Sequence, residues 1–246
     1  MDVGSDLLVG GGVLVVLLMS AMSLQCAPPS SKRAEEVRMR VGPVLEKELA
    51  AKDLVYGDPV FMRVFKESRE LEVWVEHQDG SYRLFKSYAI AAFSGSLGPK
   101  LAEGDGQAPE GFYHVPAKMM HPTSSYHLAF NLGYPNAYDR AHGRTGSFLM
   151  VHGNRVSIGC YAMTDERIEE IYTLADAALR KGQKFFRVHC FPFRMTTDRL
   201  GKLSKREAKW GTFWGNLKEG FDFFETHGVP PDVTVNDQQY KFSAAK

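Results

Sequence analysis

The sequence predicts an α+β fold in one large domain, and three features of its 246 residues support this. Segments in which apolar and polar residues alternate, which is typical of β-strands, follow one another from residue 60 onwards. Two later segments repeat apolar residues every three or four positions, which is typical of helices. The composition, 44% hydrophobic and 12% aromatic, is that of a chain that buries a sizeable core.

The first 26 residues differ from the rest of the chain. Residues 7–22 carry no charge, and an apolar run of this length fits the core of a signal peptide better than a membrane span of about 20 residues. Acidic residues precede the run and basic residues follow it, which is unlike a secretion signal, because this charge bias alone would keep the basic side in the cytoplasm. We therefore predict that residues 1–26 are a signal peptide or an N-terminal membrane anchor of an exported protein. Cys26 leaves a lipid anchor open as a further possibility.

The segments that follow predict the first elements of the domain. Residues 27–40 are polar and are predicted to be a linker, and residues 41–53 are predicted to form a short helix. Residues 60–64 and 71–75 alternate apolar and polar side chains, which indicates consecutive half-buried strands. Residues 95–111 are rich in glycine and proline, which indicates a loop. Three more strands are expected, in the sequences GFYHV, YHLAFNLGY and GSFLMVHG.

The second half contains two predicted helices. Thr164 is the expected N-cap of the first, which ends at Gly182. Its apolar stripe consists of Ile168, Ile171, Tyr172, Ala175, Ala178 and Leu179. The strand KFFRVHCFPF comes next, and then an amphipathic helix in KWGTFWGNLKEGFDFF, whose aromatic stripe we attribute to core packing. The sequence PPDVTVNDQQYKF is predicted to end the domain, residues 41–246, with an edge strand.

The stretch HGNRVSIGCYAM, residues 152–163, contains the residue types of a thiol nucleophile and its base. His152 and Cys160 are eight residues apart, about 12 Å along a helix and too far for a hydrogen bond. Gly153 and Asn154, however, can turn the chain so that the two segments face each other. The imidazole and the helix that starts at Thr164 would then lower the pKa of the thiol, whose thiolate is the nucleophile.

Two further residues of the stretch support this hypothesis. Gly159 would let a substrate carbonyl approach Cys160 and leave the neighbouring backbone N–H groups free for an oxyanion hole. Ser157 is placed to hydrogen-bond the loop or the site. Spacing alone leaves a second interpretation open, a buried structural cysteine beside a surface histidine.

The stretch also resembles the signature of the L,D-transpeptidase catalytic domain of the YkuD type, in which His-Gly is followed by Ser-x-Gly-Cys. The matching positions here are His152, Gly153, Ser157, Gly159, Cys160 and Met163. The segment APEGFYHV is similar to a strand of that domain, and NLGYPNAYDRAHGRTGSFLMVHG and FPFRMT resemble the subgroup often labelled YafK-like. The resemblance, over about residues 55–240, implies a mainly β catalytic core with added helices, including a C-terminal amphipathic helix.

The resemblance implies a reaction on peptidoglycan stem peptides. Cys160, deprotonated with help from His152, would attack a diaminopimelate carbonyl to form a thioester, which an amine acceptor resolves. A backbone carbonyl orients the histidine in such domains, and Gly153 is the matching position. If water resolves the thioester instead, the enzyme is an amidase that releases a protein or peptide, for example a wall-attached lipoprotein, from diaminopimelate. No cofactor and no metal are implied.

The chain departs from the common Ser-His-Gly-Cys-Ile/Val-Arg pattern of the family at two informative positions. Ile158 and Ala162 stand where the pattern has histidine and arginine. The arginine is expected to hold charged groups of the substrate, so another residue must replace it or the substrate differs. The candidates for substrate binding are Arg144, Arg194 and His142.

Three further classes of function are less well supported. A metal site built from Cys160, His152, His142 and His189 would lack the usual ligand spacings. The second class is a non-catalytic peptidoglycan-binding module, and the third is a redox protein with a disulfide between Cys160 and Cys190. The net charge of +1 gives no reason to expect nucleic acid as a partner, and membrane contact is expected only through the N-terminal segment.

Overall fold

The computed structural model of the protein describes Met1 and residues 27–244. The rest of the predicted signal peptide or anchor, including Cys26, lies outside the described residues. Within the described part, no helix combines the length and the apolar character needed to cross a membrane. Helices and sheets are mixed along the chain, which confirms the predicted α+β class.

A five-stranded sheet forms the centre of the fold. In spatial order its strands are β3 (Tyr82–Ala89), β2 (Glu70–Glu76), β1 (Val60–Phe65), β9 (Phe185–Phe191) and β4 (Gly111–Pro116). β1 runs antiparallel to β2 and parallel to β9. The prediction of a half-buried β1 is wrong, because this central strand is buried along its whole length. Its one charged residue, Arg63, is buried through an ion pair with Glu72 at 2.9 Å.

A smaller sheet lies beside it. Its strands, in spatial order, are β5 (Met120–His121), β6 (Ala129–Asn131), β7 (Met150–His152) and β8 (Tyr161–Ala162). β7 pairs antiparallel with β6 but parallel with β8, so that His152 lies opposite Ala162. The chain must therefore cross over between β7 and β8 instead of returning antiparallel.

The C-terminal segment differs from the predicted single edge strand. It forms a hairpin of β10 (Asp232–Asn236) and β11 (Gln239–Ser243), which make a sheet of their own. Asp237 and Gln238 both have positive φ and fold the segment back on itself. A polar segment with no glycine gives little indication of such a turn.

The first helix corrects the predicted linker. α1 spans Lys32–Ala50, and Ser31 caps it by accepting a hydrogen bond from the N–H of Ala34. Its buried apolar residues recur at helical spacing from Ala34 to Leu49, facing α3 (Asp165–Lys181). The charged residues of positions 32–40 are the solvent-facing side of this helix, which is why the segment looks like a polar linker in sequence.

The remaining helices complete the domain. α3 is confirmed, with Thr164 accepting from the N–H of Arg167, Gly182 in the left-handed region, and the whole predicted stripe buried. α5 (Gly211–His227) buries the apolar residues Phe213, Trp214, Leu217, Phe221 and Phe224. Two short helices, α2 (Ala137–Ala141) and α4 (Thr197–Arg206), are not predicted from the sequence, because each offers few buried apolar residues.

Candidate active site

His152, the last residue of β7, is buried and held in one orientation. Its Nδ1 donates a hydrogen bond to the carbonyl oxygen of Gly153 at 2.6 Å. A carbonyl can only accept, so the proton of the neutral ring lies on Nδ1 and Nε2 is the nitrogen that can take up a proton. Burial lowers the pKa of His152, and the bond to Gly153 opposes this only in part. The imidazole is therefore a neutral base at neutral pH.

Gly153 is itself fixed by its neighbours, and it has no room for a side chain. Its N–H donates to the carbonyl oxygens of Tyr126 and Leu128, at 3.0 and 3.1 Å. A Cβ at this position would lie 2.5 Å from Oδ1 of Asp165 and 2.8 Å from the carbonyl oxygen of Tyr126. The ring of Tyr126 also packs on that of His152, with centroids 4.7 Å apart. The peptide that orients the histidine is thus locked in place.

Cys160 lies in the same part of the small sheet, and its thiol is bonded to the backbone. The N–H of Met150 donates to Sγ at 3.4 Å, and the S–H donates to the carbonyl oxygen of Phe148 at 3.6 Å. Burial raises the pKa of Cys160, although the Met150 N–H and the charge of Lys100 oppose this. The prediction of a lowered pKa is therefore wrong, and the resting group is a neutral thiol.

Ser157 and Gly159 shape the loop that crosses from β7 to β8. The hydroxyl of Ser157 donates to the carbonyl oxygen of Cys160 at 2.6 Å and accepts from the N–H of Gly159 at 3.2 Å. Gly159 has φ +138°, a conformation that favours glycine. Because its N–H is already bound to Ser157, Gly159 itself does not supply a free oxyanion-hole donor, and the expectation for the other N–H groups around Cys160 stays a prediction. Both residues instead brace the loop that presents Cys160.

One cavity of about 390 Å³ brings the predicted pair together. Its lining residues are His121, Thr123, Ser124, Ser125, Tyr126, Phe148, Met150, His152 and Cys160. Both residues of the predicted pair therefore line one cavity, and their joint action on a substrate carbonyl stays a prediction. The motif does not indicate the lining residues 121 and 123–126, because nothing in a polar loop segment marks it as part of a site.

Comparisons with known proteins identify the family of the chain. The model of the L,D-transpeptidase catalytic domain, YkuD, matches residues 62–189. The chain belongs to this family. It is 44% identical to YafK of Escherichia coli K12, provisionally named an L,D-transpeptidase, over 192 residues that make up 78% of this chain and 77% of YafK. YafK of Escherichia coli O157:H7 gives the same values.

Two solved structures are also similar. The helical cell shape determining protein Pgp2 of Campylobacter jejuni is 18% identical, with a TM-score of 0.43 and coverage of 78% of this chain and 80% of Pgp2. Bd1075 of Bdellovibrio bacteriovorus is 18% identical, with a TM-score of 0.38 and coverage of 75% and 84%.

The two arginines predicted to bind substrate in this L,D-transpeptidase family member lie elsewhere. Arg144 is buried and pairs with the fully buried Asp139 at 2.9 Å. Arg194 pairs with Glu70 and Glu72 of β2, at 3.0 and 2.6 Å. Neither lines the cavity of Cys160, and the charge of each is already neutralised. Both predictions are therefore corrected to structural ion pairs.

His142 is not placed at the cavity either. It caps the end of α2, where its Nδ1 donates to the carbonyl oxygen of Tyr138 at 3.0 Å and its ring stacks on that of Tyr138 with centroids 4.1 Å apart. The predicted substrate-binding role of His142 is therefore corrected to a helix-capping contact.

The two positions at which this chain departs from the L,D-transpeptidase pattern have different environments. Ala162 is fully buried and forms a β-bridge with Ala92. An arginine at this position would start from a fully buried Cα and would have to place its charge among core residues. Ile158 is 91% exposed on the crossing loop beside Cys160. The change at 162 is therefore tied to packing, whereas the change at 158 alters the surface next to Cys160.

The structure also bears on the redox disulfide and on the metal site. Cys160 and Cys190 are free thiols, and Cys190 is fully buried within β9, so the hypothesis of a disulfide between them is wrong. His189, beside it, is packed between the rings of Phe61 and Phe112 and does not reach the cavity. Across residues 27–244, no three His, Cys, Asp or Glu side chains are grouped so that they could hold a metal ion.

Proposed function

We propose that the protein is a cysteine-dependent L,D-transpeptidase that acts on peptidoglycan stem peptides during remodelling of the cell wall. Its membership of the L,D-transpeptidase family supports a peptidoglycan-modifying role. The observation that carries the proposal is His152, which is held by the Gly153 carbonyl in the same cavity as Cys160. Such a pair is what thiol-dependent acyl transfer requires.

The geometry gives each residue a step in the reaction. When the diaminopimelate carbonyl enters the cavity, Nε2 of His152 takes the proton of Cys160 as Sγ attacks the carbonyl carbon. The C–N bond then breaks, His152 returns the proton to the departing amine of D-Ala, and a thioester remains. An amine acceptor, deprotonated by His152, attacks the thioester and displaces Cys160 as the thiol. The raised pKa of Cys160 and the lowered pKa of His152 both disfavour a preformed thiolate–imidazolium pair, so in this proposal the proton moves as Sγ attacks.

The same thioester supports a second candidate, an amidase that transfers the acyl group to water. No Asp, Glu, Lys or Arg of the described residues lines the cavity, and Ala162 stands where the family pattern has arginine. A site without that cation holds the charged ends of donor and acceptor peptides less firmly, which favours water as the acceptor. The protein or peptide attached to diaminopimelate, for example a lipoprotein, would then be the leaving group.

The proposed site of action is the cell envelope. Residues 1–26 would export the protein as a signal peptide or hold it as an N-terminal or lipid anchor, and the domain would meet peptidoglycan in the periplasm. Fractionation of cells that express the full-length chain tests this, because a cytoplasmic location would contradict it.

Incubation of the protein with purified sacculi, followed by muropeptide analysis, tests the function. New crosslinks between two diaminopimelate residues support the transpeptidase, whereas loss of a diaminopimelate-linked protein or peptide without new crosslinks supports the amidase. Cys160→Ala must abolish either product, and Cys190→Ala, a matched change at a buried thiol away from the cavity, must preserve it. An active Cys160→Ala variant would overturn the catalytic proposal and leave a binding module as the explanation.

A further inference from the structure

The helix that precedes the family domain contacts one wall of the catalytic cavity. α1 lies outside the matched residues 62–189, yet its start is bonded to the loop at residues 122–127. The hydroxyl of Ser31 donates to the carbonyl oxygen of Pro122 at 2.9 Å. Arg33 donates from one guanidinium nitrogen to the carbonyl oxygens of Ser124 and His127, at 3.0 and 2.6 Å. We refer to residues 122–127 as the wall loop.

A second connection joins α1 to the same loop through α3. Arg40 pairs with Oε2 of Glu169 at 2.7 Å, and Oε1 of Glu169 is bonded to Nε2 of His127 at 2.9 Å. His127 has φ +69°, a left-handed conformation that a residue of this size adopts only when its surroundings hold it there. Its carbonyl accepts a hydrogen bond from Arg33 of α1, and its ring is hydrogen-bonded to Glu169.

The other side of the wall loop holds the catalytic base. The ring of Tyr126 packs on His152, and the carbonyl oxygen of Tyr126 accepts the N–H of Gly153. The carbonyl of Gly153 in turn accepts the Nδ1 proton of His152. A continuous chain of contacts therefore runs from Arg33 through Tyr126 and Gly153 to the imidazole.

We infer that Arg33 is a positioning residue for His152. By joining the carbonyls of Ser124 and His127 it holds the wall loop in the shape that keeps Tyr126 on the ring and the Gly153 peptide in place. Release of Arg33 frees the wall loop, and the imidazole then samples a second orientation and the second tautomer. This inference rests on the proposed role of His152 as the base. It also couples the residues that lead out of the N-terminal segment to the geometry of the site.

Arg33→Ala in the full-length chain tests this, with Lys32→Ala as the matched control. Lys32 is the neighbouring exposed cation, and within the described part of the chain its ion pair is with Glu36 of its own helix. Arg33→Ala should lower kcat about tenfold, because small displacements of a catalytic group cost this much or more. Arg33→Lys should restore part of the loss, since an ammonium can still donate to both carbonyls, and Lys32→Ala should match the wild type.

The ¹⁵N signals of His152 provide a readout that does not depend on turnover. They are assigned by their absence in His152→Ala. In the wild type they should report a single tautomer with the proton on Nδ1, and in Arg33→Ala an average of two tautomers. An Arg33→Ala spectrum identical to that of the wild type overturns the inference, even if the variant melts at a lower temperature. Failure of the wild type to act on sacculi would instead overturn the proposed function and leave this test intact.

Discussion

His152 donates its Nδ1 proton to the carbonyl oxygen of Gly153, the next residue in the chain, at 2.6 Å. A bond between neighbours of this kind needs no acidic partner to orient the imidazole. The orientation of the imidazole depends instead on the position of the Gly153 peptide. The N–H of Gly153 is hydrogen-bonded to the carbonyl oxygens of Tyr126 and Leu128. The orientation of the base is therefore set by the backbone, and mutations that move this backbone should impair catalysis.

Gly153→Ala should impair catalysis, because the added Cβ would lie 2.8 Å from the carbonyl oxygen of Tyr126, which cannot easily move. We expect kcat to fall by about 10²-fold, the cost of a displacement of about 1 Å. Gly201→Ala is the control, since a Cβ there meets no atom within 4 Å. Steady-state kinetics on muropeptides measures the effect, and equal kcat values for both variants would contradict it.

The pH dependence of kcat/KM should have its acidic limb below pH 6.5. Burial lowers the pKa of His152 from its ordinary value of 6.5, and only the unprotonated ring can accept the thiol proton. Activity should therefore rise with pH through the lowered pKa and stay high at neutral pH. His152→Ala should lower the rate about 10²- to 10⁴-fold and shift the rise to above pH 9, where the raised pKa of Cys160 controls thiolate formation. An unchanged acidic limb in His152→Ala would rule out the histidine as the base.

Ala162→Arg should destabilise the protein, although arginine is the residue of the family pattern. Ala162 is fully buried beside Ala92, so the variant would place an unpaired charge in the core at a cost of several kcal/mol, about 3 to 5. Ile158→Arg is the matched control, because that side chain is 91% exposed. Urea unfolding monitored by circular dichroism compares the two. Equal midpoints would show that the sheet accommodates arginine after all.

The shared cavity of His152 and Cys160 can be predicted because the motif that contains both residues is continuous in sequence. Helix α3 was predictable for a related reason, since its cap, its apolar stripe and its terminal glycine all lie within one segment. The environments of Arg144 and Arg194, the predicted substrate-binding residues, cannot be predicted in this way. Arg144 and Arg194 carry the right charge, but their partners, Asp139 and Glu72, are identified only by the fold.

The start of α1 is a case in which secondary structure, too, depends on partners that only the fold identifies. Residues 32–40 are rich in charge, and their few apolar positions gain meaning only once α3 is known to cover them. The part that the wall loop plays in the site cannot be predicted from the sequence for a third reason. Its contribution comes from backbone carbonyls, such as that of Tyr126, and backbone groups leave no trace in residue type.

Lys66→Met should destabilise the fold strongly. Lys66 and Glu110 are both fully buried and pair at 3.0 Å, and Glu110 also accepts from the N–H of Gly98 and from Nε1 of Trp214. Loss of one partner leaves an uncompensated buried charge, which costs about 3 to 5 kcal/mol. The double variant with Glu110→Gln should recover part of this loss. Urea denaturation of both variants measures the free energy of unfolding, and a single variant as stable as the wild type would contradict the prediction.

His189 should make the protein sensitive to mild acid. It is buried between Phe61 and Phe112, its Nδ1 has no hydrogen-bond partner among residues 27–244, and burial lowers its pKa well below 6.5. The unfolded chain therefore binds a proton that the folded chain does not, so the stability contributed by neutral His189 is complete above pH 6.5 and is lost as the pH falls. The loss approaches about 1.4 kcal/mol per pH unit for one such group.

His189→Leu tests this prediction between pH 7.5 and 5, a range that lies above the ordinary pKa values of the carboxylates. The variant should lose less free energy of unfolding over this range than the wild type, because no imidazole has to enter the core unprotonated. His142→Gln, at the exposed end of α2, removes one histidine outside the core. In this control the free energy of unfolding should change with pH as it does in the wild type. Denaturant unfolding at several pH values gives the slope of the free energy of unfolding against pH for each protein. Parallel slopes for the wild type and His189→Leu would show that His189 does not carry the acid sensitivity.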